Sequence, residues 1–440
     1  MQFKSLVAAA ALTGFVAANT ASFLFVLLTI FLDSTLTTAT PSISSGCSFS
    51  SFTATVPAQV ASVAACPTAI GDINISGNGF GSIDLTGVKQ IYGNLRINGT
   101  QLATVFNAPT LQLVSGQLSI SDATTLATVN LAQLTTVGTL VYNALPALTS
   151  TGLTTGITSA ESIVFTNTGL TSLAGINVYK LTNFEVSNNA DIATIDSGLE
   201  SVTDTLAINY NSDKVEVYLD QLTSAQNIIF QKIASLSVGN LTTVNGSLSL
   251  ESNTLESFDF PVLTNLGNSL SIEQNDDLEE FGFPVLKNIG GALSIQSNDH
   301  LESFSFFPNL TTIGGSVTLD GDFNNGTFPK LNRVAGGFNL TSTGSLTCDS
   351  FVKLNSNGAI KGDKFYCEGA SSTVSSSSSK SGNANGQSTN TATSGSGSGS
   401  GSSATTSGSS STRSSGAAPA SGFQLATFGA IFAGVGAFLF

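Results

Sequence analysis

The sequence predicts an all-β fold, a β-helix of about thirteen stacked turns with disulfide-capped ends. Three observations predict it. A short Leu-x-Leu pattern recurs about every 22 residues between Ile73 and Phe338. No repeat contains an amphipathic stretch of about eleven residues, as a returning helix would need. Two cysteines lie on each side of the repeats, which suits disulfides in an oxidising compartment.

The repeat is clearest in three consecutive segments, which begin at Gly246, Asn268 and Gly291 and match nearly residue for residue. Their Leu-x-Leu alternation is typical of a strand with one buried face. The first apolar residues of these strands give thirteen positions at a nearly constant spacing: Ile73, Leu95, Leu118, Leu140, Ile163, Phe184, Leu206, Ile228, Leu248, Leu270, Leu293, Val317 and Phe338. Each interval is one turn of the solenoid.

An asparagine follows the strand in several turns, three residues after its second apolar position. These residues are Asn189, Asn211, Asn253, Asn275 and Asn298. In leucine-rich repeats, L-x-L-x-x-N places the asparagine inside a bend, where its amide binds buried backbone groups and forms a ladder between turns. We therefore interpret these asparagines as structural and expect a leucine-rich-repeat-like β-helix.

The cysteines predict how the two ends of the solenoid are closed. Cys47 and Cys66 precede the first turn, Cys348 and Cys367 follow the last, and the spacing within the two pairs is the same. A solenoid exposes its core at both ends and needs caps. Pairing between the ends would have to bridge the whole array, whereas disulfide-bonded Cα atoms lie about 5.5 to 6 Å apart. We therefore expect Cys47–Cys66 and Cys348–Cys367.

The first residues are typical of a secretory signal, with a positive start, an apolar stretch and a small-residue cleavage motif that ends at Ala18. A second apolar run at residues 23–32 leaves three interpretations open. It extends the signal to residue 32, it is a mis-spliced or mistranslated insertion, or it is a retained anchor. We predict a signal peptide at residues 1–18, a leader of uncertain status at 19–46 and the β-helix at 47–367.

The last residues resemble a glycosylphosphatidylinositol (GPI) attachment signal. A Ser/Thr/Gly-rich stretch at residues 368–416 is too polar to bury a core and is typical of a flexible stalk. Small residues, a spacer and an apolar tail follow, so residues 417–440 are expected to be removed when lipid is attached at Gly416. Ser414 and Ser415 are the alternative attachment residues, and an ordinary transmembrane helix is the alternative for the tail.

Composition excludes several classes of function. The 14 basic and 28 acidic residues leave a formal charge of −14, which disfavours a nucleic-acid partner. With His300 as the single histidine and no tryptophan, a histidine-based metal cluster is excluded and we expect no cofactor.

Carboxylates do cluster in the loops of neighbouring turns: Asp276, Asp277, Glu279, Glu280, Asp299 and Glu302. Glycoside hydrolysis needs two carboxylates in a cleft, but we interpret these as solvated loop charges and His300 as a turn residue.

The outward residues of the main strands suggest where a partner would bind. None of the thirteen is aromatic, and the middle of the row carries the apolar residues Val141, Val164, Ala207 and Ile229. Seven Asn-x-Ser/Thr sequons predict N-glycosylation at Asn74, Asn98, Asn240, Asn245, Asn309, Asn325 and Asn339. Asn74 and Asn339 belong to the ends of the same row. The middle is therefore either a sugar-free interaction face or a consequence of strand propensity alone.

Together the signal, cysteine-flanked solenoid, stalk and tail resemble the fungal GPI-anchored cell-wall organisation proteins of the extracellular-mutant and sporulation-specific family. The repeats are similar to the receptor L-domain, and residues 246–313 carry the likeness best. The resemblance implies a non-catalytic surface glycoprotein at the outer leaflet of the plasma membrane or in the cell wall. It would be held by its GPI lipid, with wall glucan or wall proteins as partners. The alternatives are a glycan-remodelling enzyme and a receptor-like binding module.

Overall fold

The computed structural model describes residues 42–43, 45–370 and 372–377. The predicted signal peptide, most of the leader, the stalk beyond residue 377 and the tail lie outside these residues. The attachment candidates Gly416, Ser414 and Ser415 lie outside them too.

Most strands join one long sheet, the main sheet, which each turn of the chain extends by a further parallel strand. Its strands are β1 (Ser48–Ala54), β2 (Thr68–Ser76), β4 (Gln90–Tyr92), β5 (Leu95–Asn98), β7 (Leu113–Ser121), β9 (Thr136–Leu145), β10 (Ser162–Thr168), β11 (Lys180–Ser187), β13 (Ser201–Asn209), β15 (Ser224–Gln231), β17 (Thr243–Val244), β18 (Leu248–Glu251), β20 (Asn265–Leu266), β21 (Leu270–Glu273), β23 (Asn288–Ile289), β24 (Leu293–Gln296), β25 (Thr312–Ile313), β26 (Val317–Gly321), β27 (Arg333–Val334), β28 (Phe338–Ser342), β29 (Lys364–Gly369) and β30 (Ser372–Ser377).

Three smaller sheets form a second face of the solenoid. They comprise β3 (Ser82–Asp84), β6 (Val105–Asn107) and β8 (Thr128–Asn130); β12 (Thr194–Asp196), β14 (Val215–Tyr218) and β16 (Ile233–Ser237); and β19 (Ser257–Asp259) and β22 (Glu280–Gly282). The described residues also form two helices, α1 (Pro57–Ala64) and α2 (Asp349–Ser356).

The register of the main sheet confirms the predicted solenoid of about thirteen turns. Ile73 lies opposite Leu95, and the same parallel pairing continues turn by turn to Phe338. The sheet also has one further rung at each end. Phe52 of β1 lies opposite Ile73, and Phe365 of β29 lies opposite Phe338.

The inward side chains of successive turns stack into one continuous core. Phe260, Phe283 and Phe307 are fully buried and stack nearly parallel, with ring centroids 5.1 and 5.4 Å apart. Burial of one such side chain contributes about 1.5 to 3 kcal/mol. The repeat period therefore determines the fold because it brings equivalent apolar residues into register.

The predicted asparagine ladder is present in two segments. Asn189 and Asn211 form the first, and Asn253, Asn275 and Asn298 form the second. Asn275 is 1% exposed and donates Nδ2–H to Asn298 Oδ1 at 3.0 Å, while its own Oδ1 accepts from Asn253 Nδ2 at 2.9 Å. Ile233 occupies the ladder position between the segments. The ladder is therefore interrupted for one turn.

Each end cap combines a predicted disulfide with a short helix that the repeat pattern did not indicate. Cys47 pairs with Cys66 and Cys348 with Cys367, with Cα atoms 5.7 and 5.9 Å apart. Helix α1 lies between the first two cysteines and α2 between the second two. The predicted disulfide-capped ends are confirmed. Neither of these two helices of the described residues is long and apolar enough to cross a bilayer.

A row of glycines lets adjacent turns approach closely just before the main strands. A Cβ atom on Gly290 would lie 2.0 Å from the carbonyl oxygen of Gly267, and one on Gly314 would lie 2.1 Å from that of Gly290. Atoms at such distances overlap, so only glycine fits.

At the far edge of the sheet, β30 pairs antiparallel with β29 and covers its outer hydrogen-bonding groups.

Candidate interaction face

The main sheet brings the sequence-predicted interaction residues together on consecutive strands. Val141 of β9 lies opposite Val164 of β10, which lies opposite Glu185 of β11. Glu185 lies opposite Ala207 of β13, which lies opposite Ile229 of β15. We call these five residues the interaction strip. With strands about 4.8 Å apart, the strip extends over about 19 Å.

The accessible part of the strip is smaller than the sequence indicated. Val141, Val164 and Ile229 are partly exposed, but Ala207 is buried, with 6% exposure. Its methyl group lies between the longer side chains of Glu185 and Ile229 in the register. The expectation that Ala207 contributes accessible apolar surface is therefore corrected. The two valines lie on one side of Glu185, and Ile229 lies on the other.

Polar side chains border the strip on both sides. On each strand, the residue two positions before the strip and the residue two positions after it are polar. The preceding residues are Thr139, Ser162, Asn183, Thr205 and Asn227, and the following residues are Asn143, Thr166, Ser187, Asn209 and Gln231. Ser187 donates its hydroxyl hydrogen to the Glu185 carboxylate at 3.0 Å, which orients this charge within the strip. An apolar centre within a rim of hydrogen-bonding groups is the usual composition of a protein–protein interface.

The outward row continues beyond the strip in polar residues and reaches an aromatic one on the cap strand β29. Asn339 of β28 lies opposite Tyr366 of β29. Tyr366 could not be recognised from the repeat pattern because β29 belongs to the cap and carries no Leu-x-Leu repeat. The Tyr366 hydroxyl donates to the Glu368 carboxylate, and this hydrogen bond raises the pKa of the phenol. This aromatic side chain therefore lies in the cap, far from the strip.

The predicted glycosylation sites leave the strip free. Asn98, Asn240, Asn245, Asn325 and Asn339 are exposed, whereas Asn74 and Asn309 are partly buried. Asn309 donates Nδ2–H to the carbonyl oxygen of Pro284 at 2.7 Å, and Asn74 donates weakly to that of Phe52 at 3.5 Å. Attachment of sugar at these seven positions stays a prediction. None of them belongs to the five residues of the strip.

The acidic loop cluster does not form an enclosed site. Its six carboxylate residues, Asp276, Asp277, Glu279, Glu280, Asp299 and Glu302, are all exposed. His300 is exposed as well, and its Nδ1 lies against the backbone carbonyl of Asp276. Within the described residues, no group of three or more His, Cys, Asp or Glu side chains is arranged to hold a metal ion. These loops therefore supply solvated charge.

Comparisons with known proteins relate the chain to fungal surface proteins. The Receptor L domain family model matches residues 242–325, the region of the clearest repeats. The chain is 38% identical to the cell surface GPI-anchored protein ECM33 of Candida albicans, over 76% of this chain and 81% of that protein. It is 33% identical to the cell wall protein ecm33 of Schizosaccharomyces pombe, over 76% and 79% of the two chains.

A further relative is the cell wall mannoprotein PST1 of Saccharomyces cerevisiae, 33% identical over 70% of this chain and 69% of that protein. None of these three names denotes an enzyme. No solved structure matches the chain. Identities of 33% and 38% over more than two thirds of both chains are far more than a shared repeat period would produce. The chain belongs to the Ecm33 family of fungal cell-surface and cell-wall proteins.

Proposed function

We propose that the protein is a GPI-anchored surface glycoprotein that organises the fungal cell wall by binding, without catalysis. The observation that carries this proposal is the 38% identity to the Candida albicans surface protein over 81% of its length. The protein would act at the cell surface, in the outer leaflet of the plasma membrane or in the wall. Wall proteins and wall glucan are the proposed partners.

The proposed processing follows the sequence signals. Residues 1–18 are removed as the signal peptide, residues 47–377 form the folded ectodomain, and residues 378–416 form a stalk that ends at the lipid on Gly416. Strand β30 (Ser372–Ser377) thus extends the fold beyond the boundary predicted at residue 367. The tail at residues 417–440 is removed. A stalk of this composition places the folded solenoid away from the membrane, within reach of wall components.

We assign partner binding to the interaction strip. The accessible side chains of the strip, Val141, Val164 and Ile229, project from a parallel sheet whose backbone pairing fixes their positions, so little ordering is needed when a partner binds. The absence of sequons from the strip leaves this surface open to a protein. Glu185, whose carboxylate accepts the Ser187 hydroxyl hydrogen, would set the register of binding because a partner that covers this charge must replace the water around it.

A receptor-like binding module is the second candidate, and the Receptor L domain match at residues 242–325 favours it. A receptor-like module would differ from a wall-organising protein because it would bind a soluble ligand. A glycan-remodelling enzyme is less well supported because all six carboxylate residues of the acidic loop cluster are exposed to solvent.

The function can be tested in cells that lack the protein. Re-expression of the full chain should restore resistance to wall-stressing dyes, and phosphatidylinositol-specific phospholipase or glucanase should release it from intact cells. Mass spectrometry should find lipid or glucan on the peptide that ends at Gly416, Ser414 or Ser415. Retention of Phe440 in the surface protein would contradict the anchor, and turnover of β-glucan or chitin by the purified protein would contradict the non-catalytic role.

A further inference from the structure

A second candidate site lies on the second face of the solenoid, at one of the two places where pairing between its three small sheets is interrupted. β16 pairs with β14 on one side, and β19 pairs with β22, but β16 and β19 belong to separate sheets. The interruption coincides with the shortest turn, which runs from Ile228 to Leu248. It also follows Ile233, where the asparagine ladder is broken.

The interruption opens a recess of about 1060 Å³ that crosses five consecutive turns, from Asp213 to Phe306. Its volume reaches the upper end of the range for ligand clefts, about 300 to 1,000 Å³. Phenyl rings support its floor: Phe258 stacks on Phe281 with centroids 5.6 Å apart, and Phe281 lies 4.8 Å from Phe306. Four turn spacings give the recess a length of about 19 Å along the solenoid.

The rim of this recess is strongly acidic. Five carboxylates surround it, those of Asp213, Glu216, Glu256, Asp259 and Glu280, whereas Lys214 is the one basic residue in its lining. Two of the five are engaged within the protein. Asp213 lies 3.6 Å from the ammonium group of Lys232, and Glu216 accepts the Tyr218 hydroxyl hydrogen at 3.0 Å.

The remaining three carboxylates belong to exposed residues at the rim of the recess. Glu256, Asp259 and Glu280 are exposed, and the ion pair of Asp213 is the only one that the described residues form at the recess. Asp259 lies over Gly282 of the next turn, where a Cβ atom would be 2.1 Å from its Oδ1. Burial raises the pKa of the Asp259 carboxyl group, so a cation placed here would stabilise its charged form.

We propose that the recess binds an extended basic segment of a partner protein. Lysine or arginine side chains would lie over Glu256, Asp259 and Glu280, and their aliphatic stems would lie on the exposed edge of Phe306. At about 3.3 Å per residue, about six residues span the recess, and every second side chain points into it. The overall charge of −14 favours the approach of such a segment.

The proposal can be tested with a fluorescein-labelled peptide of ten alternating lysine and threonine residues, added to the purified full-length protein in detergent. Binding is followed by fluorescence anisotropy. The triple variant Glu256→Gln, Asp259→Asn, Glu280→Gln should bind the peptide at least tenfold more weakly. The matched control, Asp276→Asn, Asp277→Asn, Glu279→Gln, removes the same charge from neighbouring exposed loops and should weaken binding less than threefold.

A second variant separates shape from charge. Ser235→Trp fills the recess without changing any charge and should also weaken peptide binding at least tenfold. A diazirine on the peptide should crosslink to residues 254–259. Equal losses in the two triple variants would show attraction to net charge alone and overturn the proposal. So would binding of laminarin oligosaccharides or Ca²⁺ at the recess in place of the peptide.

Discussion

Replacement of Asn275 by alanine should lower the free energy of unfolding by much more than the loss of one small side chain would suggest. The Asn275 side chain makes four hydrogen bonds within the core. Its Nδ2 donates to Leu250 O at 3.1 Å and to Asn298 Oδ1 at 3.0 Å. Its Oδ1 accepts from the backbone N–H of Asn253 at 3.0 Å and from the Nδ2 of the same residue at 2.9 Å.

The expected loss follows from these contacts. A hydrogen bond contributes about 1 kcal/mol net, so loss of four lowers the free energy of unfolding by about 4 kcal/mol. The variant also leaves the backbone N–H of Asn253 buried without its side-chain acceptor. Unsatisfied buried donors cost about 1 to 3 kcal/mol each, so about 4 kcal/mol is a lower estimate.

Urea unfolding followed by far-ultraviolet circular dichroism measures this loss as a shift of the midpoint at constant m value. Asn288→Ala is the matched control. Asn288 also donates to an asparagine of the preceding turn, Asn265, at 3.0 Å, but on the exposed surface. Its replacement should change the free energy by less than about 0.5 kcal/mol. Equal effects of the two substitutions would refute the structural role of the buried ladder.

Three further predictions concern the core and the caps. Burial raises the pKa of Tyr142, so above about pH 10 only the unfolded chain loses this proton, and stability should fall by about 1.4 kcal/mol per pH unit. Tyr142→Phe should remove this component of the slope in urea unfolding at alkaline pH. Gly290→Ala should lower the free energy of unfolding by about 1 to 3 kcal/mol, because its new methyl group overpacks the contact between turns. Gly198→Ala should be nearly neutral, because its new methyl group would meet only a ring atom of Tyr179 at 3.9 Å. Replacing Cys348 and Cys367 by serine should cost about 3 kcal/mol, measured in the same assay.

The sequence predicts the solenoid well because its period reports burial directly. Every inward position from Ile73 to Phe338 repeats a residue type that must leave water, and parallel stacking then follows from the nearly constant turn length. The ladder asparagines were recognisable because a buried amide in a bend needs the same partner in every turn. The cap rungs β1 and β29 were missed because each occurs once and has no repeat to reveal it.

Properties that depend on neighbouring turns could not be derived in the same way. Ala207 is outward but buried because Glu185 and Ile229, which lie beside it, are longer. The recess depends on the failure of β16 to pair with β19, and a shortened turn does not by itself show which strand loses its partner. Sequence therefore predicts the direction of a side chain better than its accessibility.

The central claim is that the interaction strip binds a wall partner. The most direct test is the double variant Val164→Gln, Ile229→Gln in the full chain, compared with Ser249→Gln on the same outward row. Resistance to wall-stressing dyes is measured at equal surface expression. Since both residues of the double variant point away from the core, we predict normal surface levels with loss of dye resistance, while Ser249→Gln keeps resistance. Full resistance in the double variant would contradict the claim.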